Sequence, residues 1–227
     1  MAGETVKTAA VCLRIVPWSR TSHIVQWLTP AGKVTTVVKG AVRPKSLFLG
    51  QYDLNYTCEI VYYARGRGDL HALREATPLD RRDALRGDYR ALALAGYFRA
   101  NVADHAPQGP EAAEWLRLLT ASLDALAARG GDRADAAFFV ARLLAFEREV
   151  LKLAGLLPEI AFEGGAATLR GERSIPVPAA VARCLARPLD EKKMEILLDA
   201  ARVFGVFYAF HLDSALDARR SVLKVIS

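Results

Sequence analysis

The sequence is poor in the residues from which reactive or metal-binding centres are built. Its 227 residues include only three cysteines and four histidines. Cys12, Cys58 and Cys184 are an odd, scattered set with no Cys-x-x-Cys pair, which argues against a disulfide framework and against a zinc site. His23, His71, His105 and His211 are dispersed, none with a second His or Cys at ligand spacing. No glycine-rich turn ends in Gly-Lys-Ser/Thr and no Gly-x-Ser-x-Gly elbow occurs, so P-loop and hydrolase chemistries lack their signatures. Gly66-Arg-Gly68 lacks the third glycine and the following helix of a dinucleotide site. Asp53, Glu59, Asp69 and Glu75 are what remains for a Mg²⁺-dependent nuclease, but Asp53 and Glu59 share a face with Asn55 and Thr57, as on any polar strand face. No run approaches the ~20 apolar residues that span a bilayer. The start, Met1 to Thr5, lacks the basic and apolar segments of a signal peptide. The expectation is a cytoplasmic protein that is not an enzyme, with no metal, cofactor or membrane.

What is present is an ordinary globular composition, 52% hydrophobic and 25% charged, with an excess of positive charge. The formal net charge is +6 and the pI about 9.4. The excess is uneven: residues 1–79 carry ten Lys and Arg against five Asp and Glu, while the remainder is nearly balanced. A basic N-terminal third points to a polyanionic partner for that end of the chain.

The first 76 residues have the pattern of strands, expected at 8–16, 21–29, 33–39, 52–62 and 70–75. The Pro17/Ser19 break and Pro30-Ala31-Gly32 supply the early turns, and Arg65-Gly-Arg-Gly-Asp69 the last. The clearest signal is the alternation of Tyr52, Leu54, Tyr56, Cys58, Ile60 and Tyr62 with polar residues, a period of two. Five short strands in so few residues predict an α+β chain that opens with a five-stranded OB-type β-barrel, with an SH3-like barrel as the alternative. At Thr77-Pro78, a cap followed by a first-turn proline, the pattern turns helical. The first helix is expected to carry Leu85, Tyr89, Leu92, Gly96 and Arg99 on one side and to end near Asp104. A second carries Trp115, Leu119 and Leu126, and a third Phe139, Leu143, Phe146 and Val150. Helices resume at 178–186 and 190–214. The predicted domains are 1–78, the barrel, and 79–227, an all-helical domain with a loop or hairpin insert around 157–177.

The candidate chemistry is electrostatic. Lys39, Arg43 and Lys45 stand where Gly40 and Pro44 break the strand ladder, and Arg65 and Arg67 lie in the glycine turn. Arg14 and Arg74 belong to neighbouring strands. Loops of a small barrel that border one open face can run a phosphate backbone along a positive groove, and exposed aromatics there can stack bases. Trp18, Trp27 and Tyr63 are the candidate platforms, while Tyr56, Tyr62 and Trp115 fall in apolar rows that suit a core. On the residues alone, a protein adaptor whose barrel does not touch DNA remains an alternative.

The order of these segments resembles the RecO family of recombination mediators. The resemblance is carried by Ala10-Val-Cys-Leu-Arg14, by Ser22-His-Ile-Val-Gln-Trp-Leu-Thr-Pro30 and Gly32, and by Lys39-Gly-Ala-Val-Arg43-Pro-Lys45-Ser46. It continues with Gly68-Asp69-Leu70 and Glu75, and with Tyr208-Ala-Phe-His211-Leu212 before Arg219-Arg-Ser221. The resemblance implies a barrel that binds single- and double-stranded DNA ahead of a helical domain. It implies a role in DNA repair and recombination: annealing complementary strands, acting with RecR, and helping to load RecA onto DNA coated by single-stranded-DNA-binding protein, whose acidic tail it engages. A nucleoid association when on DNA follows. DNA contact by Lys39, Arg43 and Lys45 agrees with the charge argument. For the tail, Arg142, Arg148, Lys152 and Arg202 are candidates beside apolar helix faces. Many relatives hold zinc through four cysteines before the last helices. This chain has Cys184 alone in 157–187, so no metal is expected.

Overall fold

The computed structural model describes residues 4–64, 69–129, 135–163, 166–171, 174–212 and 216–227. Its N-terminal strands are β1 (Glu4–Ser19), β2 (Ser22–Thr29), β3 (Gly32–Val38), β4 (Thr57–Ala64) and β5 (Leu70–Asp80). They form a closed barrel in the order β1-β2-β3-β5-β4, with β1 completing the ring against β4. Closure can be followed residue by residue. Val16 pairs with Ile24, Ile24 with Val37, Val37 with Ala72, Ala72 with Tyr63, and Tyr63 with Thr5, back on β1 but well upstream of the start. That stagger is what tilted strands need to close. The sheet is mixed, because β3 and β5 run parallel while the other pairs are antiparallel.

Alternation fills the barrel. Ala10, Cys12, Val25, Trp27, Val38, Cys58, Ile60 and Tyr62 point inward into one buried cluster, with Leu73, Ala76 and Tyr56. The indole of Trp27 is fully buried and its Nε1 donates to Thr36 Oγ1 at 2.9 Å, which satisfies the one polar atom it takes inside. Burial pushes the Cys58 thiol up to about 12, and Cys12 further, so both behave as small apolar side chains rather than nucleophiles.

Several expectations are corrected. The fourth strand begins at Thr57, not at 52. Asn55 adopts a left-handed φ of 67°, which ends the apparent alternation in a turn. The fifth strand continues to Asp80, so Thr77-Pro78 does not cap a helix. Pro78 pairs with Cys58 beside a register shift, and on its other side β3 has already ended, so its missing N–H leaves no gap in a ladder. A short 3₁₀ turn (Asp83–Gly87) precedes α1 (Tyr89–His105), where Asp88 Oδ1 accepts the backbone N–H groups of Arg90 and Ala91. The expected stripe of α1 is out of phase: Tyr89 and Leu92 are exposed, and Ala91, Leu94, Ala95, Phe98 and Val102 are buried.

The remaining elements are α2 (Ala112–Ala127), α3 (Ala136–Leu153), β6 (Glu159–Glu163), β7 (Ala166–Arg170), β8 (Ile175–Val177), α4 (Ala179–Ala186), α5 (Met194–His211) and α6 (Leu216–Ile226). The region after the barrel is therefore not all-helical. In place of a loop or single hairpin, β6, β7 and β8 form a three-stranded antiparallel sheet. α6 was absent from the sequence expectation.

Two compact units result. One comprises residues 1–83 and 99–127, so α2 and the end of α1 belong with the barrel. The other comprises 84–98 and 128–227. In the first, Arg82 is buried, with Nε donating to Asp124 Oδ1 at 2.7 Å and Nη1 to Asn55 O and Thr57 Oγ1. Arg99 reaches Leu13 O and Asn55 Oδ1. In the second, Glu147 is wholly buried and accepts from Tyr97 Oη, Arg219 Nε and Arg219 Nη2 at 2.7–2.9 Å.

Candidate nucleic-acid interface

The basic loop leaves the barrel where β3 ends. Gly40, at φ 68°, turns the chain, and the Cβ that any other residue would carry there would lie 3.2 Å from Arg43 Cδ. The loop then proceeds by successive tight turns: Arg43 N–H to Gly40 O, Ser46 N–H to Arg43 O, Leu49 N–H to Ser46 O and Gln51 N–H to Phe48 O. It is tied to the β1–β2 turn by Val42 N–H to Thr21 O at 3.3 Å and Gly40 N–H to Ser22 Oγ at 3.3 Å. Lys39, Arg43 and Lys45 are exposed on it. Among the described residues, none of the three is paired with a carboxylate.

Tying the two segments together creates a cleft of about 480 Å³, lined by Trp18, Ser19, Thr21, Ser22, Val37, Lys39, Gly40 and Arg43. Trp18 is 64% exposed. It occupies a bulge, because Pro17 pairs with His23 and Ser19 with Ser22, leaving Trp18 without a partner across the ladder. A bulge aims its side chain off the regular pleat, here beside the two cations.

Arg74 emerges from the same end of the barrel. Val37 pairs with Ala72 on parallel strands, and Lys39 and Arg74 each stand two residues beyond that pair. Arg74 Nη1 donates to Tyr63 Oη at 2.5 Å, Nε faces Glu75 at 3.3 Å, and the guanidinium lies 5.6 Å from the Tyr63 ring centroid. Tyr63 points outward and is 40% exposed, as its parity in β4 predicts.

The other expected members separate from this group. Arg14 pairs across the ladder with Gln26, and its guanidinium is held by the Asp104 carboxylate at the end of α1. Trp27 is in the core and cannot serve as a platform. Arg65 and Arg67 lie outside the described residues. Of the carboxylates weighed for Mg²⁺, Glu59 pairs with Lys7 at 2.8 Å, and no group of three or more His, Cys, Asp or Glu able to hold a metal occurs among the described residues. Cys184 is free and buried, its thiol pushed up to about 12 by burial. No helix among the described residues is long and apolar enough to cross a membrane.

The second unit has its own basic cleft, of about 270 Å³. Arg129, Arg142 and Lys192 line it with Phe138, Asp135 and Glu191. The Arg129 and Arg142 guanidinium carbons lie 4.4 and 5.3 Å from the Phe138 ring centroid. Both acids are engaged locally: Asp135 Oδ1 accepts Phe138 N–H at the N-cap of α3, and Glu191 Oε1 accepts the N–H groups of Lys192 and Lys193. Arg142 Nε is buried without a hydrogen-bond partner among the described residues, and burial, reinforced by Arg129, holds its pKa below the ordinary value. The three other cations expected beside helix faces are paired, Arg148 and Lys152 with Glu149, and Arg202 with Asp199. Sequence spacing gave no sign of Arg129 or Lys192, which come from segments far from Arg142.

Comparison with known proteins places the barrel. The family described as "Recombination protein O N terminal" matches residues 1–82. "DNA repair protein RecO" of Anaeromyxobacter sp. (strain K) is 34% identical over 162 residues, 69% of this chain and 59% of the relative. The protein of the same name from Roseiflexus sp. (strain RS-1) is 30% identical over 160 residues, 70% of this chain and 53% of the relative. The chain thus spans somewhat more than half the length of these relatives. Residues 1–82 therefore match the N-terminal region of the RecO family, and the likeness to proteins named DNA repair protein RecO extends over about two thirds of the chain.

Proposed function

We propose that this chain is a non-catalytic mediator of recombinational repair that binds DNA through the barrel and an acidic protein tail through the second unit. The observation that carries the DNA contact is the pinned loop presenting Lys39, Arg43 and Lys45, three exposed cations without carboxylate partners among the described residues, beside an exposed tryptophan. Arg74 extends the same end of the barrel. Small five-stranded barrels that take oligonucleotides use the loops between strands 1–2 and 4–5 around one face, and here the β1–β2 turn forms one wall of the cleft. Annealing of complementary strands, cooperation with a RecR-type partner and loading of RecA are the roles that the likeness to RecO proteins supports for such a surface.

The acidic tail of single-stranded-DNA-binding protein fits the cleft around Phe138, where two guanidinium groups flank an aromatic ring and the local carboxylates are already committed. A carboxylate there would meet the guanidinium of Arg142, whose Nε has no hydrogen-bond partner among the described residues.

The test of DNA binding is its salt dependence. Each phosphate contact on a single strand contributes about −0.7 to the log–log slope, so replacing Lys39, Arg43 and Lys45 together by alanine should flatten the slope by roughly 2. Fluorescence anisotropy with a labelled oligonucleotide across a salt series reads this directly. An unchanged slope would remove these residues from the interface. No binding by the parent chain at low salt would favour an adaptor that works without touching DNA.

A further inference from the structure

We infer that Trp18 is a stacking platform for an unpaired base, and that it makes this face of the barrel select single-stranded over duplex nucleic acid. The inference rests on the DNA-binding reading above and deepens it. Tryptophan is usually well buried, and the two others in this chain are: Trp27 is fully buried and Trp115 is 4% exposed. Trp18 is 64% exposed, and not because it sits on a loose end. It lies inside β1, between registered pairs, on a bulge that frees its side chain from the ladder.

What surrounds it has the composition of a nucleotide site. Lys39 and Arg43 supply charge for flanking phosphates. Ser19, Thr21 and Ser22 supply hydroxyls, and the cleft of about 480 Å³ is of the size that takes a small organic ligand. The hydrogen bonds from Val42 to Thr21 and from Gly40 to Ser22 hold the cationic wall against the tryptophan wall, so the arrangement exists before any ligand arrives. In a duplex both faces of each base are already stacked, so only an unpaired or extruded base can use the ring, whereas phosphates are common to both forms. The lysine and arginines therefore set general affinity, and the tryptophan sets strand preference.

The burial of Trp27 and Trp115 also provides the assay, because quenching of intrinsic fluorescence by a bound base reports on Trp18. Three probes are titrated at one salt concentration: a short oligothymidine, an abasic oligomer with the same number of phosphates, and a duplex of equal length. The expected result is quenching by oligothymidine but not by the abasic strand. Trp18→Ala should weaken oligothymidine binding about 5- to 150-fold, the equivalent of one stacked base, and change duplex affinity less than about twofold. Trp18→Phe should restore most of the loss. Equal weakening toward all three probes, or unchanged oligothymidine binding by Trp18→Ala, overturns the inference while leaving DNA binding intact. If the parent chain binds none of the probes, the DNA-binding reading fails first, and the inference falls with it.

Discussion

Replacing Arg219 by methionine should cost more stability than any exposed charge in this chain. Glu147 has a side chain with no exposure and Arg219 one with 6%, so neither can turn to water when its partner is lost. The carboxylate accepts two hydrogen bonds from the guanidinium, at 2.7 and 2.9 Å, and one from Tyr97 at 2.8 Å. Burial, with Glu147 behind it, lifts the Tyr97 phenol well above its ordinary value, so the phenol stays a donor. Burial alone would lower the pKa of Arg219, but the charge of Glu147 outweighs it and the net shift is upward. Arg219 also donates to Ala201 O at 2.8 Å and lies over the Tyr208 ring, so one side chain fastens α6 to both α3 and α5. Removing one member of such a pair leaves a buried charge uncompensated, at a cost of about 3–5 kcal/mol. For a chain of this size that is a fall in Tm of roughly 6–20 °C. Calorimetry on Arg219→Met, Glu147→Met and the double variant completes the cycle. Apolar replacement of both partners removes the orphaned charge, so the double variant should recover most of the loss. A loss below about 1 kcal/mol for Arg219→Met, or a double variant no more stable than the singles, would refute this account of how α6 is held.

Two further outcomes follow from other sites. His105 has a pKa below its ordinary 6.5, first because it is buried and then through Lys33, with Asp104 pulling the other way; its Nε2 is buried without a hydrogen-bond partner among the described residues. Folding therefore favours the neutral ring, and this contribution is present above the unfolded pKa and is lost as pH falls through the lowered folded value. Tm should drop more between about pH 7.5 and pH 5 in the parent chain than in His105→Gln, and identical pH profiles would contradict it. Arg142→Ala should weaken binding of an acidic peptide about tenfold or more in anisotropy, the scale of one charge-assisted hydrogen bond, with oligonucleotide affinity unchanged. If Arg148→Ala has the larger effect, the peptide site lies elsewhere.

The sequence announces the barrel because its two faces differ. Inward positions such as Cys58, Ile60 and Tyr62 alternate with outward ones, and Pro30 and Gly32 mark the turn from β2 to β3, whereas Pro17, expected to break the first strand, lies inside β1 paired with His23, and the turn that follows is Arg20-Thr21. It misleads where a side chain packs inward without belonging to a strand. Tyr52 packs against the barrel core from the irregular segment before β4, and its hydroxyl meets His23 Nδ1 at 2.8 Å, so it mimics the next step of the β4 alternation. The sequence is silent where one charge is buried by distant partners. Arg82, Glu147 and Arg219 each have charged neighbours in the chain and look like surface residues, and only the fold reveals that each is enclosed. The interface divides in the same way. Lys39, Arg43 and Lys45 are neighbours in sequence and were legible together. The place of Trp18 beside them depends on a bulge and two cross-loop hydrogen bonds, and the loss of Arg14 to Asp104 depends on a helix ninety residues away.

The first strand is both the opening and the closing stave of its barrel: its later half lies against β2, and its earlier half waits for β4. During synthesis that earlier half has no neighbour on its β4 side until some sixty residues have followed it, and it is meanwhile a bare edge of the kind that recruits other chains. The strand's exposed Glu4 and Lys7, one of each sign, put charges on that edge while it is unpaired. Exchanging both for apolar residues would leave the finished barrel nearly unchanged and make its assembly prone to aggregation.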